Sequence, residues 1–233
     1  IFNIIITSIT YNDYQKLFEN NKIKKNFYDF RTICVGNIYI GGTGKTPLVN
    51  NLASHFKKKF KTFIVKKNYP SHLDEKRLLE SRHKVIFEKT RLLSLSKAEQ
   101  EKAELIIFDD GLQEKIINYD LKIVCFNSMK LDGNGLVIPA GPLRERLNSL
   151  KDYDIVLING NINKKSKDFV NIIQKINPDI RIFTGRYVPK NYANLKRKKF
   201  FIFSGIGNPH TFSDTLKGIK IKFNGYKKFP DHY

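Results

Sequence analysis

Tryptophan is absent from this sequence, methionine occurs once and cysteine twice. Two cysteines in 233 residues exclude a disulfide-built scaffold, and both lie inside apolar runs, Cys34 in TICVG and Cys125 in IVCFN. They read as buried strand thiols rather than metal ligands, which suits a reducing compartment. Long hydrophobic runs are lacking too. The opening IFNIIITSI spans only Ile1–Ile9 and contains Asn3, too little to cross a bilayer. No basic leader precedes it, so it is not read as a secretory signal. Acidic residues are the scarce charge: 22 of them face 42 Lys and Arg, for a formal charge of +20. That balance favours anionic partners, whether nucleic acid, nucleotide phosphates or an anionic membrane surface. A plain Lys-rich compositional bias reads equally well from it, because the excess is spread along the chain. Its only dense patches are Lys57–Lys61 and Lys196–Lys199.

What is present is ample core material. Hydrophobic residues make up 41%, with 18 Phe and 11 Tyr, enough for one large domain or a domain and a half. Strand-type runs occur at Thr32–Val35, Thr62–Val65, Lys84–Phe87, Leu105–Phe108, Leu121–Phe126, Ile155–Ile158, Ile180–Phe183 and Phe200–Phe203. Several are apolar at nearly every position, as strands covered on both faces must be. Between them lie helical stretches at Thr46–Lys59, Thr90–Ala103, Lys164–Ile176 and Thr211–Lys217. This β-α-β order predicts an α/β protein with a doubly wound, mostly parallel sheet. The turn-rich Asn159-Gly160-Asn161 is the expected boundary. It divides a domain at 31–160 from a smaller unit at 161–233, with residues 1–30 as a separate N-terminal segment.

The stretch Gly36–Pro47 reads GNIYIGGTGKTP. The usual phosphate-loop spacing wants a glycine five positions before Gly44, where this chain has Tyr39. The context is nevertheless that of a phosphate cradle, an apolar strand before the loop and a helix opening at Thr46 after it. Gly41, Gly42 and Gly44 would let backbone N–H groups approach phosphate oxygens, Thr43 lying among them, and the helix N-terminus adds positive potential. Lys45 would reach the β- and γ-phosphates and the Thr46 hydroxyl would sit on Mg²⁺. A phosphoryl-transfer site also needs a carboxylate that reaches the metal. Leu105–Asp110, LIIFDD, supplies Asp109 and Asp110 at the carboxyl end of an apolar strand. Alone, the pair could equally begin a turn with Gly111.

Along the chain follow DDGLQ (Asp109–Gln113), GNGLVIPAGPLRE (Gly133–Glu145), SGIGNPHTF (Ser204–Phe212) and FPDH (Phe229–His232). With the glycine-rich loop, these resemble the tetraacyldisaccharide 4′-kinases, the lipid A 4′-kinases of Gram-negative bacteria. The resemblance implies a P-loop domain of RecA-like type, a smaller second α/β domain and an N-terminal membrane helix. Residues 1–30 would keep a remnant of that helix, and the chain, which opens on Ile1, reads as a fragment trimmed at both ends. The implied activity moves the γ-phosphate of ATP, with Mg²⁺, to the 4′-hydroxyl of a tetraacyldisaccharide 1-phosphate, yielding lipid IVA. Its implied place is the cytoplasmic face of the bacterial inner membrane, with no nucleic-acid partner.

Carried onto this sequence, the resemblance gives Lys45 and Thr46 the P-loop roles and makes Asp109 and Asp110 the metal-side acids. It implies Asp74, in HLDEKRLL, as the base on the sugar hydroxyl, and His232, in FPDH, as its partner. Gln113, Arg144 and Glu145 are implied as substrate contacts. The chain departs from the family pattern in places. Val65-Lys66-Lys67-Asn68-Tyr69 stands where relatives carry Ser-Arg-Gly-Tyr, and Lys67 keeps the charge of that Arg without its planar fork. Glu114 follows DDGLQ where a His is usual. Two other readings stay open. One is a deviant Walker-A ATPase of scaffold type, although Ile40 takes the position of its signature Lys. The other is a basic nucleic-acid-binding module, although no recognition motif of a known module is visible.

Overall fold

The computed structural model describes residues 2–6, 28–67, 73–189, 200–205 and 209–230, with the backbone alone at 2–6, 73–75, 189 and 211. Ten strands run in chain order: β1 (Phe2–Ile6), β2 (Arg31–Gly36), β3 (Thr62–Lys67), β4 (Lys84–Glu88), β5 (Leu105–Asp109), β6 (Leu121–Asn127), β7 (Ile155–Asn159), β8 (Arg181–Pro189), β9 (Phe200–Ser204) and β10 (Phe223–Lys228). Five α-helices accompany them among the described residues: α1 (Lys45–Phe56), α2 (Leu73–Glu80), α3 (Arg91–Gln100), α4 (Lys164–Ile176) and α5 (Pro209–Gly218). The main sheet has eight strands in the order β1-β8-β7-β6-β2-β5-β3-β4. All its pairings are parallel except that of β1 with β8. The expected doubly wound α/β sheet is therefore present.

Alternation along the strands builds the two faces. Ile33 and Val35 of β2, Leu105 and Ile107 of β5, and Ile155 and Leu157 of β7 share one apolar layer with Leu48, Val49, Leu52, Ala53 and Phe56 of α1. The intervening Cys34, Ile106, Phe108, Val156 and Ile158 join the opposite layer, with Leu95 and Ala98 of α3 and Phe169 and Ile173 of α4. Strands covered on both sides carry no polar face, which is why they read as near-continuous apolar runs. Helix starts are marked as the sequence suggests. The Thr90 side chain accepts from the Leu93 N–H ahead of α3, and Asn163 with Ser166 forms a capping box on α4.

Three features differ from the sequence expectations. Residues 2–6, read as the remnant of a helix, pair as the edge strand β1, which agrees with the β-branched run Ile4-Ile5-Ile6. The division expected after residue 160 falls inside the main sheet, because β8 from its far side hydrogen-bonds to β7. Turn-rich residues there serve a β-to-α connection. Helix α2 lies in a polar stretch whose Leu79 alone among its described side chains joins the core. A small separate sheet pairs β9 with β10 in parallel, with α5 as their crossover and a core of Ile202, Leu216 and Ile221.

Winding sets the position of the site. Strands β5, β3 and β4 lie to one side of β2, and β6, β7 and β8 to the other, so the direction of winding reverses at β2. Ligands of open α/β sheets bind at such a reversal, outside the carboxyl ends of the strands. Ile107, fully buried at the middle of β5, tests the core: Ile107→Ala should lower stability by about 3 kcal/mol, read as a fall in the urea midpoint. Burial also pushes the Cys125 thiol up to about 12 and raises that of Cys34. Neither should react with a disulfide reagent at about pH 8 in the folded protein, while both should react in denaturant.

Candidate active site

The loop after β2 is organised by Asn37, a fully buried amide. Its Nδ2 donates to the carbonyls of Tyr39, at 2.5 Å, and Gly41, at 3.2 Å. Its Oδ1 accepts from Lys45 Nζ at 2.9 Å. One side chain thus ties the first half of the loop to the lysine at its end. Tyr39, at the irregular position, forms an antiparallel bridge with Leu143, and the Ile40 N–H donates to the Pro142 carbonyl at 2.9 Å. The IPAGPLRE segment therefore pins this loop from outside, as the missing glycine's turn does not.

Gly44 caps α1 with φ +89, and a Cβ there would sit 2.5 Å from Asn159 Nδ2 and 2.8 Å from the Tyr187 hydroxyl. Asn159, the last residue of β7, donates to the Thr43 carbonyl at 2.7 Å. Loop and helix N-terminus are thus held in place before any ligand arrives, with the first amides of α1 lacking intrahelical partners.

The two acids diverge. Asp109 ends β5 nearly fully buried, and its Oδ2 accepts from the Thr46 hydroxyl at 3.1 Å and from Lys66 Nζ at 2.6 Å. Asp110 takes a left-handed backbone, φ 64, which its N–H stabilises by donating to the Val35 carbonyl at 2.8 Å. That turn aims its carboxylate away from its neighbour's, to Arg144 Nη1 at 3.0 Å and Lys45 Nζ at 3.6 Å. Arg91 donates to the Asp110 carbonyl and lies 3.7 Å from Glu114, so the glutamate in the place of a usual histidine takes part in an ion pair. Gln113 donates to the Asn37 carbonyl at 3.1 Å and accepts from Arg144 at 3.5 Å.

Of the residues singled out in the sequence, Thr43, Gly44, Lys45, Thr46, Asp109, Asp110, Gln113 and Arg144 meet around the loop. Glu145 turns aside to accept from the Tyr153 hydroxyl at 2.8 Å, and burial with this bond pushes the Tyr153 phenol up. Asp74 lies in the first turn of α2, after β3, with its backbone alone described. His232 lies outside the described residues. Asn159, Lys66 and Arg91 are site residues that sequence reasoning did not single out, and Asn37 went unassigned. Asn37 and Asn159 do carry a signal, each being a lone amide at the end of an apolar strand, VGN and LIN.

The oxygen set can hold a cation. Three buried side-chain oxygens around the loop have no hydrogen-bond partner among the described residues: Thr43 Oγ1, Asp109 Oδ1 and Asn159 Oδ1. Buried polar atoms are rarely left so, and their gathering here fits a ligand rich in charge and hydrogen-bonding groups. A hydroxyl and one carboxylate suit Mg²⁺, which takes few protein ligands and completes its shell with phosphates and water. Strain tests the loop independently: Gly44→Ala adds the left-handed cost of about 1–2 kcal/mol to a clash. It should therefore destabilise more, by urea midpoint, than Gly135→Ala, at φ 75 with its nearest neighbour 3.8 Å away.

A sequence model of the family described as tetraacyldisaccharide-1-P 4′-kinase matches residues 5–233. The chain is 44% identical to the tetraacyldisaccharide 4′-kinase of Pelagibacter ubique (strain HTCC1062), across 100% of this chain and 72% of that protein. It is 39% identical to the tetraacyldisaccharide 4′-kinase of Rickettsia canadensis (strain McKiel), across 87% of this chain and 66% of that protein. Among solved structures, LpxK from Aquifex aeolicus in complex with ATP superposes with a TM-score of 0.64. At 24% identity, covering 95% of this chain and 78% of that one, this likeness establishes the shared fold. The chain accordingly belongs to the tetraacyldisaccharide 4′-kinase family.

Proposed function

We propose that this chain transfers the γ-phosphoryl group of ATP to the 4′-hydroxyl of a tetraacyldisaccharide 1-phosphate. The observation that carries this reading is the convergence of Lys45, Thr46, Asp109, Asp110 and Arg144 on a loop bordered by unpartnered buried oxygens. The amides of Gly41–Thr46 cradle the phosphates, and Lys45 passes from Asn37 and Asp110 to the β- and γ-phosphate oxygens. Thr46 and Asp109 would hold Mg²⁺, which would supply positive charge to offset that of the phosphates. Arg144, fixed between Asp110 and Gln113, is placed to stabilise charge on the transferred group.

Asp74 takes the proton of the sugar hydroxyl while its oxygen bonds to phosphorus and the bridging oxygen leaves with ADP. His232 holds that carboxylate in place. Asp74 follows β3, whose carboxyl end lies on the same edge of the sheet as the phosphate loop. The catalytic unit extends through β8, and the β9-α5-β10 unit forms the smaller domain.

The setting we propose is the cytoplasmic face of the inner membrane. A formal charge of +20 suits a phosphorylated substrate among anionic lipids. Ile40, Leu136 and Ile138, each about half exposed, put apolar surface on the segments that frame the loop. No helix of the described residues is long and apolar enough to cross a membrane. The scaffold-ATPase and nucleic-acid readings are not favoured, since Ile40 lacks the signature charge and family membership accounts for the loop.

Incubating the protein with labelled ATP, Mg²⁺ and the disaccharide in mixed micelles should give a bisphosphorylated lipid. Lys45→Ala should slow its formation by at least roughly 100- to 1,000-fold with the fold retained. A wild-type rate no higher than that of Lys45→Ala would sink the proposal.

A further inference from the structure

A close ion pair in the site joins the first acid of DDGLQ to the strand end that stands where relatives carry Ser-Arg-Gly-Tyr. Lys66 Nζ stands 2.6 Å from Asp109 Oδ2, the same oxygen that accepts from Thr46. Backbone register enforces this approach. Lys66 on β3 pairs directly with Asp109 on β5. Alternation then sends both side chains to one face, because Ile64 and Ile107, two residues before each, belong to the layer under α1. Helix α1 brings Thr46 to that same face. Lys67, of opposite parity, cannot make this contact, so the lysine facing the metal carboxylate is not the one that keeps the charge of the family's Arg.

An ammonium therefore sits on one oxygen of the carboxylate that would face a divalent cation. The side chains of Lys66 and Asp109 are 11% and 1% exposed, so solvent and salt screen the pair poorly. The remaining oxygen, Asp109 Oδ1, has no partner among the described residues and is the face of the carboxylate left to a metal.

We infer that Lys66 is a resident cation that holds Asp109 in place and competes with the divalent metal for it. Metal then binds this chain weakly alone, and becomes tight only when nucleotide phosphates supply the charge that Asp109 shares with Lys66. The inference rests on the nucleotide-site reading above. Lys66 is a positioning residue here, acting on the metal through Asp109.

The test is direct binding of Mn²⁺, followed by electron paramagnetic resonance, to the whole chain with and without a non-hydrolysable ATP analogue. Lys66→Met should tighten Mn²⁺ binding without nucleotide by roughly tenfold or more, and Lys66→Gln should move it in the same direction. Lys66→Arg, which keeps the charge, should stay within about twofold of wild type. Urea midpoints establish that each variant compared is folded. Unchanged or weaker Mn²⁺ binding in a folded Lys66→Met or Lys66→Gln protein would overturn the inference while leaving the nucleotide site standing. Absence of Mn²⁺ binding in the wild-type chain even with the analogue would overturn both.

Discussion

Two carboxylates in succession at the mouth of an apolar sheet repel each other, the first of them nearly stripped of water, and the site is arranged around that problem. Asp109 continues β5 into the buried layer under α1, where Thr46 and Lys66 meet it. Asp110 is turned by its left-handed backbone toward Arg144 and Lys45. The turn is held by the Val35 carbonyl from one side and by Arg91 on the Asp110 carbonyl from the other. Each acid thereby acquires its own cations, and the pair is spread across the loop instead of competing for one partner.

The arrangement also explains how a loop without its usual first glycine stays in shape. A turn set by glycine is local, whereas this one is held by contacts distant in sequence. Asn37 bonds across the loop, Pro142 and Leu143 bind it from the IPAGPLRE segment, and Asn159 holds Thr43 from β7. The segment that pins the backbone also carries Arg144, whose own N–H donates to the Ile38 carbonyl at 2.6 Å. Loop shape and the position of the guanidinium are therefore one property. A substitution in Gly141–Leu143 would disturb both together.

Much of this was legible in the sequence because it is written in periodicity. Strands buried on both faces, glycines beside a helix start, and LIIFDD all follow from local pattern, as did the family's motif order. What was not legible depends on register and long-range pairing. Nothing local separates Lys66 from Lys67, yet strand parity sends one to Asp109 and the other away. Asn159 reaches Thr43 across 116 residues, so in the sequence its amide reads as part of a turn at a domain boundary. Helix α2 was missed because among its described side chains only Leu79 enters the core, leaving no amphipathic stripe to read. Glu145 sits inside a strong motif but serves Tyr153, a reminder that motif membership does not fix where a side chain points.

The cations of the resting site are already engaged by its acids, and this bears on how a polyphosphate would enter it. Lys45, Lys66, Arg91 and Arg144 each lean on Asp109, Asp110 or Glu114. Cations held in this way are oriented and partly desolvated before ligand arrives, so binding exchanges one set of close pairs for another rather than ordering flexible chains. The cost of bringing charge into the sheet mouth is met by folding, and less of it falls on the binding step.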